Sequence, residues 1–279
     1  MWALNYSSVK EITEILGLSS LAMTKKFGQN FLTNASFRQR IADLALAGSP
    51  SLVWEIGPGL GAITSLLLKG GAQVRAFEID HGFCSLLRGP AFGDEAGFTL
   101  VEGDALKTLI TQPDRPEVVC GNLPYNVGSI CIARLIEEGI LPERMVFTLQ
   151  KEVVERMCAQ PDDEAWSSFS ILTQVDYINS LAFMIGRANF YPSPNVDSAV
   201  VLMRRRQRPL VEGELRRRFL SLVRILFSQR RKTIRNNLAQ GGYGKDALAL
   251  LLERCGLSGS ERAEALPIDK LIEMASALQ

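Results

Sequence analysis

Apolar positions recur along this chain with two different periods, and the change between them suggests how it is organised. Short, largely apolar runs at 52–56, 74–79, 98–101 and 118–120 alternate with amphipathic stretches such as 130–136. Such runs, bounded by Gly, Pro and acidic residues, predict buried strands, and the stretches between them predict covering helices, so this part of the chain reads as a parallel α/β sheet. Ahead of it, Ser8-Val9-Lys10-Glu11 has the capping-box form, and Val9, Ile12 and Leu16 share one helical face up to Gly17. The stretch 25–32 follows neither period and leaves open a packed loop or a segment whose polar side chains reach a ligand, after which Asn34 caps a helix carrying Phe37, Ile41 and Leu44 inward. Beyond residue 207 the period is helical: one helix over 214–238 with Val223, Phe227, Ile234 and Leu238 on one face, then 247–252 and 268–274. A sheet domain over 1–206, with a helical extension over 1–23, and a helical domain over 207–279 follow from this division.

Composition adds limits. A chain of 279 residues, 47% hydrophobic and 22% charged, can bury a full core, and no apolar run is long enough to span a membrane. The start, Met1-Trp2-Ala3-Leu4-Asn5, lacks the basic segment and long apolar core of a secretion signal, which predicts a cytoplasmic protein. Five scattered cysteines without CxxC spacing predict neither a zinc site nor a disulfide framework. His81 is the single histidine, and its place just after a strand suits a helix start or the surface, so His-dependent nucleophilic or metal chemistry is not expected. The formal charge of +1 hides an asymmetry: residues 204–235 hold twelve Lys/Arg against Glu212 and Glu214, +10, leaving −9 for the rest. A polyanion partner is expected there, with Arg224, Arg230, Arg231, Lys232 and Arg235 as RNA-binding candidates.

Chemistry gathers where the predicted strands end. Gly57-Pro58-Gly59-Leu60-Gly61 between a strand and a helix is a turn whose backbone can approach a nucleotide-like cofactor, though it does not distinguish a dinucleotide from other nucleosides. Glu78, about twenty residues on, is placed to accept from ribose hydroxyls. Asp104 follows the next strand, where it could accept from an adenine amino group of the cofactor, and Asn122-Leu123-Pro124-Tyr125 closes the fourth. That last stretch suits an amino group acting as a nucleophile. The Asn122 side-chain oxygen and the Leu123 carbonyl can accept its two hydrogens, and Tyr125 offers a flat face for the ring. Three strand ends carrying polar groups fit an S-adenosylmethionine site.

Taken in order, KFGQNFL at 26–32, EIGPGLGAIT at 55–64, FEID at 77–80, EGDAL at 102–106, GNLPYNVGS at 121–129, QKEV at 150–153, FYPSPNVDS at 190–198 and FSQRRKTIRNNL at 227–238 resemble the ribosomal small-subunit RNA adenine N6-dimethyltransferase family. The resemblance implies a Rossmann-like S-adenosylmethionine-dependent methyltransferase sheet with a small C-terminal helical domain. It implies that Gln29, Asn30, Leu32, Gly57, Gly59, Gly61, Glu78, Asp104 and Asn122 hold S-adenosylmethionine. Asn122, Leu123 and Tyr125 would grip the target adenine, with Phe190 stacked on its other face. The implied substrate is a pair of adjacent adenosines in the hairpin loop near the 3′ end of 16S rRNA, in the 30S particle or its precursor, with a role in subunit biogenesis; the oligomeric state is open, with a monomer the default expectation. One departure stands out: Trp166-Ser167-Ser168 carries serines where members of the family often have a Tyr-Gly pair.

Overall fold

A computed structural model describes residues 4–18, 30–124 and 127–278. In chain order they form α1 (Val9–Leu18), β1 (Phe31–Leu32), α2 (Ala35–Leu46), β2 (Leu52–Ile56), α3 (Thr64–Lys69), β3 (Gln73–Glu78), α4 (His81–Leu86), β4 (Phe98–Glu102), α5 (Ala105–Thr108), β5 (Val118–Asn122), α6 (Gly128–Glu137) and β6 (Arg144–Gln150). These are followed by α7 (Lys151–Cys158), α8 (Ser168–Asp176), β7 (Tyr177–Ile185), β8 (Phe190–Tyr191), β9 (Ser198–Arg205), α9 (Gly213–Leu226), α10 (Ile234–Gln240), α11 (Lys245–Arg254) and α12 (Ile268–Ala277).

Seven strands make one sheet in the order β4-β3-β2-β5-β6-β9-β7, parallel from β4 to β6, with β9 antiparallel to β6. Central strands buried on both faces explain the continuous apolar runs: Val53, Trp54, Val74, Phe77, Val118 and Val119 are all at most 2% exposed. Strand order reverses between β2 and β5. The loops leaving those two strands turn to opposite sides there and open a crevice at the carboxyl edge of the sheet.

The amino-terminal helix forms as its pattern predicts, with Ile12 and Leu16 buried among Phe83, Leu87 and Phe92 while Val9 stays exposed. Its cap differs in one bond. Ser8 Oγ accepts from Glu11 N at 3.3 Å, but Glu11 Oε2 reaches back to Asn5 N at 3.0 Å. Asn34 caps α2, accepting from Ser36 N and Phe37 N.

Residues 1–154 with 179–205 form one compact unit, and 155–178 with 206–279 form a second. In the second, Trp166, Ile171 and Val175 share a core with Phe219, Leu222, Leu238, Leu251 and Met274. Placing α8 with the later helices departs from a boundary at residue 207. Asp176, 4% exposed, holds Arg216 at 2.8 Å, and Arg206 donates to Asp176 O and Gln174 O, so long-range polar bonds draw the segment in. The Ser167-Ser168 departure from the family pattern has a local use, since Ser167 and Ser170 form a capping box at the start of α8.

The periodic run 214–238 is two helices rather than one. Thr233 caps α10, and the buried Asn237 amide donates to Leu226 O at 2.5 Å and Gln229 O at 3.2 Å, bonding carbonyls at and beyond the end of α9. Arg230, Arg231 and Lys232 therefore stand in the connecting turn and not within a continuous helix.

Candidate active site

Four adjacent strands deliver residues to one cavity. β2 runs into Gly57-Pro58-Gly59, β3 ends on Glu78, β4 leads to Gly103-Asp104 and β5 to Asn122-Leu123-Pro124. Leu32 of β1 and Asn30 just before it line the cavity, with Tyr6 and Ile12 from the amino-terminal segment. Gly57 and Gly59 have φ of +67° and +56°, and nothing lies within 4 Å of a Cβ built on Gly57, so backbone conformation rather than space calls for glycine there.

Glu78 is held by the main chain. Oε1 accepts from Ile79 N (2.9 Å) and Asp80 N (3.0 Å), and Oε2 from Gly59 N (3.2 Å). Burial pushes its carboxyl up, and the Asp80, Gly59 and Ile79 amides pull it back. A carboxylate has about four acceptor positions, so with three of them filled bidentate acceptance from a ribose diol requires one amide to be displaced. Asp104 caps α5 by accepting from Leu106 N at 3.0 Å while lining the cavity.

Asn122 carries the most informative bond. Its Nδ2 donates to Asn30 O at 2.8 Å. A carbonyl can only be faced by the amide's NH2 end, so this bond turns the Asn122 oxygen, an acceptor, the other way. Leu123 is 2% exposed and anchored by donation from its N to Thr148 O at 3.2 Å.

Glu55 is a cavity residue that neither strand period nor turn chemistry singles out; the available signal was a carboxylate inside an apolar strand. It is 2% exposed and accepts from Thr64 Oγ1 at 2.6 Å. Burial raises its pKa to about 7, against the opposing Thr64 hydrogen bond. The folded chain holds this proton more tightly than the unfolded chain does. The group's contribution to stability is thus complete below about 4.5 and lost as pH rises through about 7. Glu55→Gln, which keeps an acceptor for Thr64, is expected to match the parent near pH 4.5 and to be about 1–3 kcal/mol more stable at about pH 8. Urea unfolding of the ligand-free protein at both pH values checks this, and an equal difference at both would exclude titration of Glu55 as the cause.

Among the described lining residues, the acids Glu55, Glu78 and Asp104 outnumber the one guanidinium, Arg38. That suits a cationic ligand rich in N–H and O–H donors and disfavours the diphosphate of a dinucleotide.

Two residues sit elsewhere than expected. Gly61 does not line the cavity: with φ of +82°, a Cβ there would lie 2.3 Å from Phe92 Cε2, so this glycine serves helix packing. Gly61→Ala is expected to cost about 1–3 kcal/mol in urea unfolding, because Phe92 is buried and cannot yield. A loss of cofactor affinity at unchanged stability would instead place Gly61 in the site. Phe190 is not a loop aromatic facing the cavity. It pairs with Leu32 across β1–β8 and is 5% exposed in a core with Ile185 and Val200. Gln29 and Tyr125 lie outside the described residues.

In the second unit, Arg224, Arg230, Arg231, Lys232 and Arg235 are all exposed. Arg230 pairs with Glu264 (3.3 Å) and donates to Glu164 O (3.0 Å), and Arg235 donates to Ser258 O (2.9 Å). Asp176 pairs with Arg216 and Glu264 with Arg230, and both acids lie outside 204–235, so the +10 count overstates the charge available to a partner. His81 opens α4 on the surface, bonded to Glu102 at 2.7 Å, and no cysteine is paired. No helix among the described residues is long and apolar enough to cross a membrane.

The reversed parallel sheet, the glycine turn and acids at successive strand ends define an S-adenosylmethionine-dependent methyltransferase. Over residues 21–279 the sequence matches the ribosomal RNA adenine dimethylase family, and the chain belongs to it. It is 42% identical over 272 residues to the ribosomal RNA small subunit methyltransferase A of Treponema denticola, covering 95% of this chain and 92% of that protein. Among solved structures it is similar to the 23S rRNA methyltransferase ErmE (25% identity, TM-score 0.67, 88% of this chain and 98% of that one). A dimethyladenosine transferase from Plasmodium falciparum shares the fold (24% identity, TM-score 0.70, 86% and 94%).

Proposed function

We propose that this enzyme dimethylates N6 of two adjacent adenosines in the hairpin loop near the 3′ end of 16S rRNA, acting as a cytoplasmic monomer on the 30S particle or its precursor. The observation that carries the chemistry is the Asn122 Nδ2 bond to Asn30 O, which aims an acceptor oxygen away from the cofactor-side wall. The small-subunit assignment rests on 42% identity to a small-subunit enzyme against 25% to a 23S enzyme.

Bound S-adenosylmethionine supplies a methyl group already activated on a sulfonium. Glu78 accepts from the ribose and Asp104 from the adenine of that cofactor, while Asn30, Leu32 and the Gly57–Gly59 turn shape its methionine end. The Asn122 oxygen and the Leu123 carbonyl accept the two hydrogens of the target amino group, so its nitrogen pyramidalises and presents its lone pair in line with the methyl. Held there, the nitrogen would take the methyl from the sulfonium and lose one N–H proton, and a second cycle would give the dimethyl product. Tyr125 supports the target ring, and a stacking role for Phe190 requires its side chain to leave the core position beside Leu32. Loop bases, being unpaired, are extruded more easily than paired ones.

The test is transfer of labelled methyl from S-adenosylmethionine to undermethylated 30S and to 50S particles, with products digested to nucleosides. Dimethyladenosine from 30S alone is the expected result, and label in 50S would overturn the subunit assignment. RNA binding without label anywhere would favour an assembly factor over a catalyst.

A further inference from the structure

Tyr6 is a polar group in the cavity that the chemistry above leaves unused. It lies outside every motif of the sequence, yet it lines the same cavity as Asn30, Glu55 and Asn122. Its Oη is buried and, among the described residues, has no hydrogen-bond partner. Such a group costs stability unless a ligand completes it.

Its position is built rather than incidental. Arg38, 7% exposed on α2, donates through Nη1 to Tyr6 O (3.1 Å) and Leu32 O (2.8 Å) and through Nη2 to Ser7 Oγ (3.0 Å). The guanidinium also lies 5.7 Å from the Tyr6 ring centroid. One buried arginine thus ties the amino-terminal segment to the cofactor wall. Burial, reinforced by the Glu55 charge, keeps the Tyr6 phenol protonated and so a donor.

Glu78 and Asp104 are the acids read as holding the nucleoside, whereas Tyr6 lies beside the Arg38 guanidinium and within the field of Glu55. A cation, an anion and an unpaired donor together match a zwitterionic amino-acid head. We propose that Tyr6 is a cofactor-binding residue whose hydroxyl donates to the carboxylate of the methionine moiety, with Arg38 as its positioning residue. This rests on the reading of the cavity as the S-adenosylmethionine site.

Tyr6→Phe removes only the oxygen. Calorimetric titration of parent and variant with S-adenosylhomocysteine and with 5′-methylthioadenosine, which lacks the amino-acid head, tests the assignment. The expected result is about tenfold weaker binding of S-adenosylhomocysteine with unchanged affinity for 5′-methylthioadenosine, and ligand-free melting at or above that of the parent. Equal losses for both ligands, no loss for either, or a ligand-free variant that melts several degrees lower would overturn it. Glu78→Ala serves as reference: if that variant binds S-adenosylhomocysteine as the parent does, the cavity reading itself fails, whereas loss there with Tyr6→Phe unaffected removes the Tyr6 assignment alone.

Discussion

Replacing Asn122 by alanine is expected to lower the rate of methyl transfer at saturating cofactor by on the order of 10²–10³-fold, the usual consequence of deleting one pre-aimed group that meets developing charge. The reasoning starts from the bond to Asn30 O, which fixes which end of the amide faces the target. An amino group conjugated to a purine is a poor nucleophile until its hydrogens are drawn out of the ring plane, and alanine leaves that to the Leu123 carbonyl alone. Cofactor affinity should fall far less, because Glu78 and the glycine turn are untouched. Asn122→Asp sharpens the point. It keeps two acceptor oxygens, but one of them would confront Asn30 O, acceptor against acceptor, so the side chain is expected to turn away and the rate to fall as well. Single-turnover transfer to undermethylated 30S, with the cofactor dissociation constant measured alongside, checks both variants. An alanine variant within about threefold of the parent would remove Asn122 from the chemistry.

The sheet and its strand ends were legible because each signal was local. An apolar run that stops at an acid or at Asn-Leu-Pro states where the strand ends and what it presents, and Glu78, Asp104 and Asn122 indeed meet at one cavity. Glycine was legible only as a conformation. Gly57 and Gly61 share a left-handed φ, and the sequence does not reveal that the first faces the cavity and the second faces Phe92. Residues placed by tertiary contact were not legible. Arg38 reads as an ordinary helix residue, Tyr6 as part of a loop before a short helix, and Phe190 as a loop aromatic, because its pairing with Leu32 spans most of the chain. The helical period of 214–238 survived across a break for a related reason: Asn237 supplies from outside the bonds that would otherwise have signalled continuity.

The same break decides which cations meet RNA. Arg230 is engaged by Glu264 and Glu164 O and orders the turn, whereas among the described residues Arg231 and Lys232 hold no acidic partner and Arg235 bonds only to a main-chain carbonyl. The triple variant Arg231→Ala/Lys232→Ala/Arg235→Ala is therefore expected to weaken 30S binding by on the order of 10²-fold at about 0.1 M salt, with log K against log salt shallower by about two to three, at roughly 0.7–0.9 per phosphate contact. Cofactor affinity should not change, since none of the three lines the cavity. Filter binding across a salt series separates this from general damage. Phosphate contacts are lost with their counterion release, so the variant and parent curves must converge as salt rises, whereas a misfolded helical unit would displace the curve equally at every salt concentration. Arg230→Ala supplies the contrast: because its charge is already paired, its main expected effect is a lower melting temperature, and a change in salt slope as large as that of the triple variant would mean that the ion pair with Glu264 gives way to phosphate.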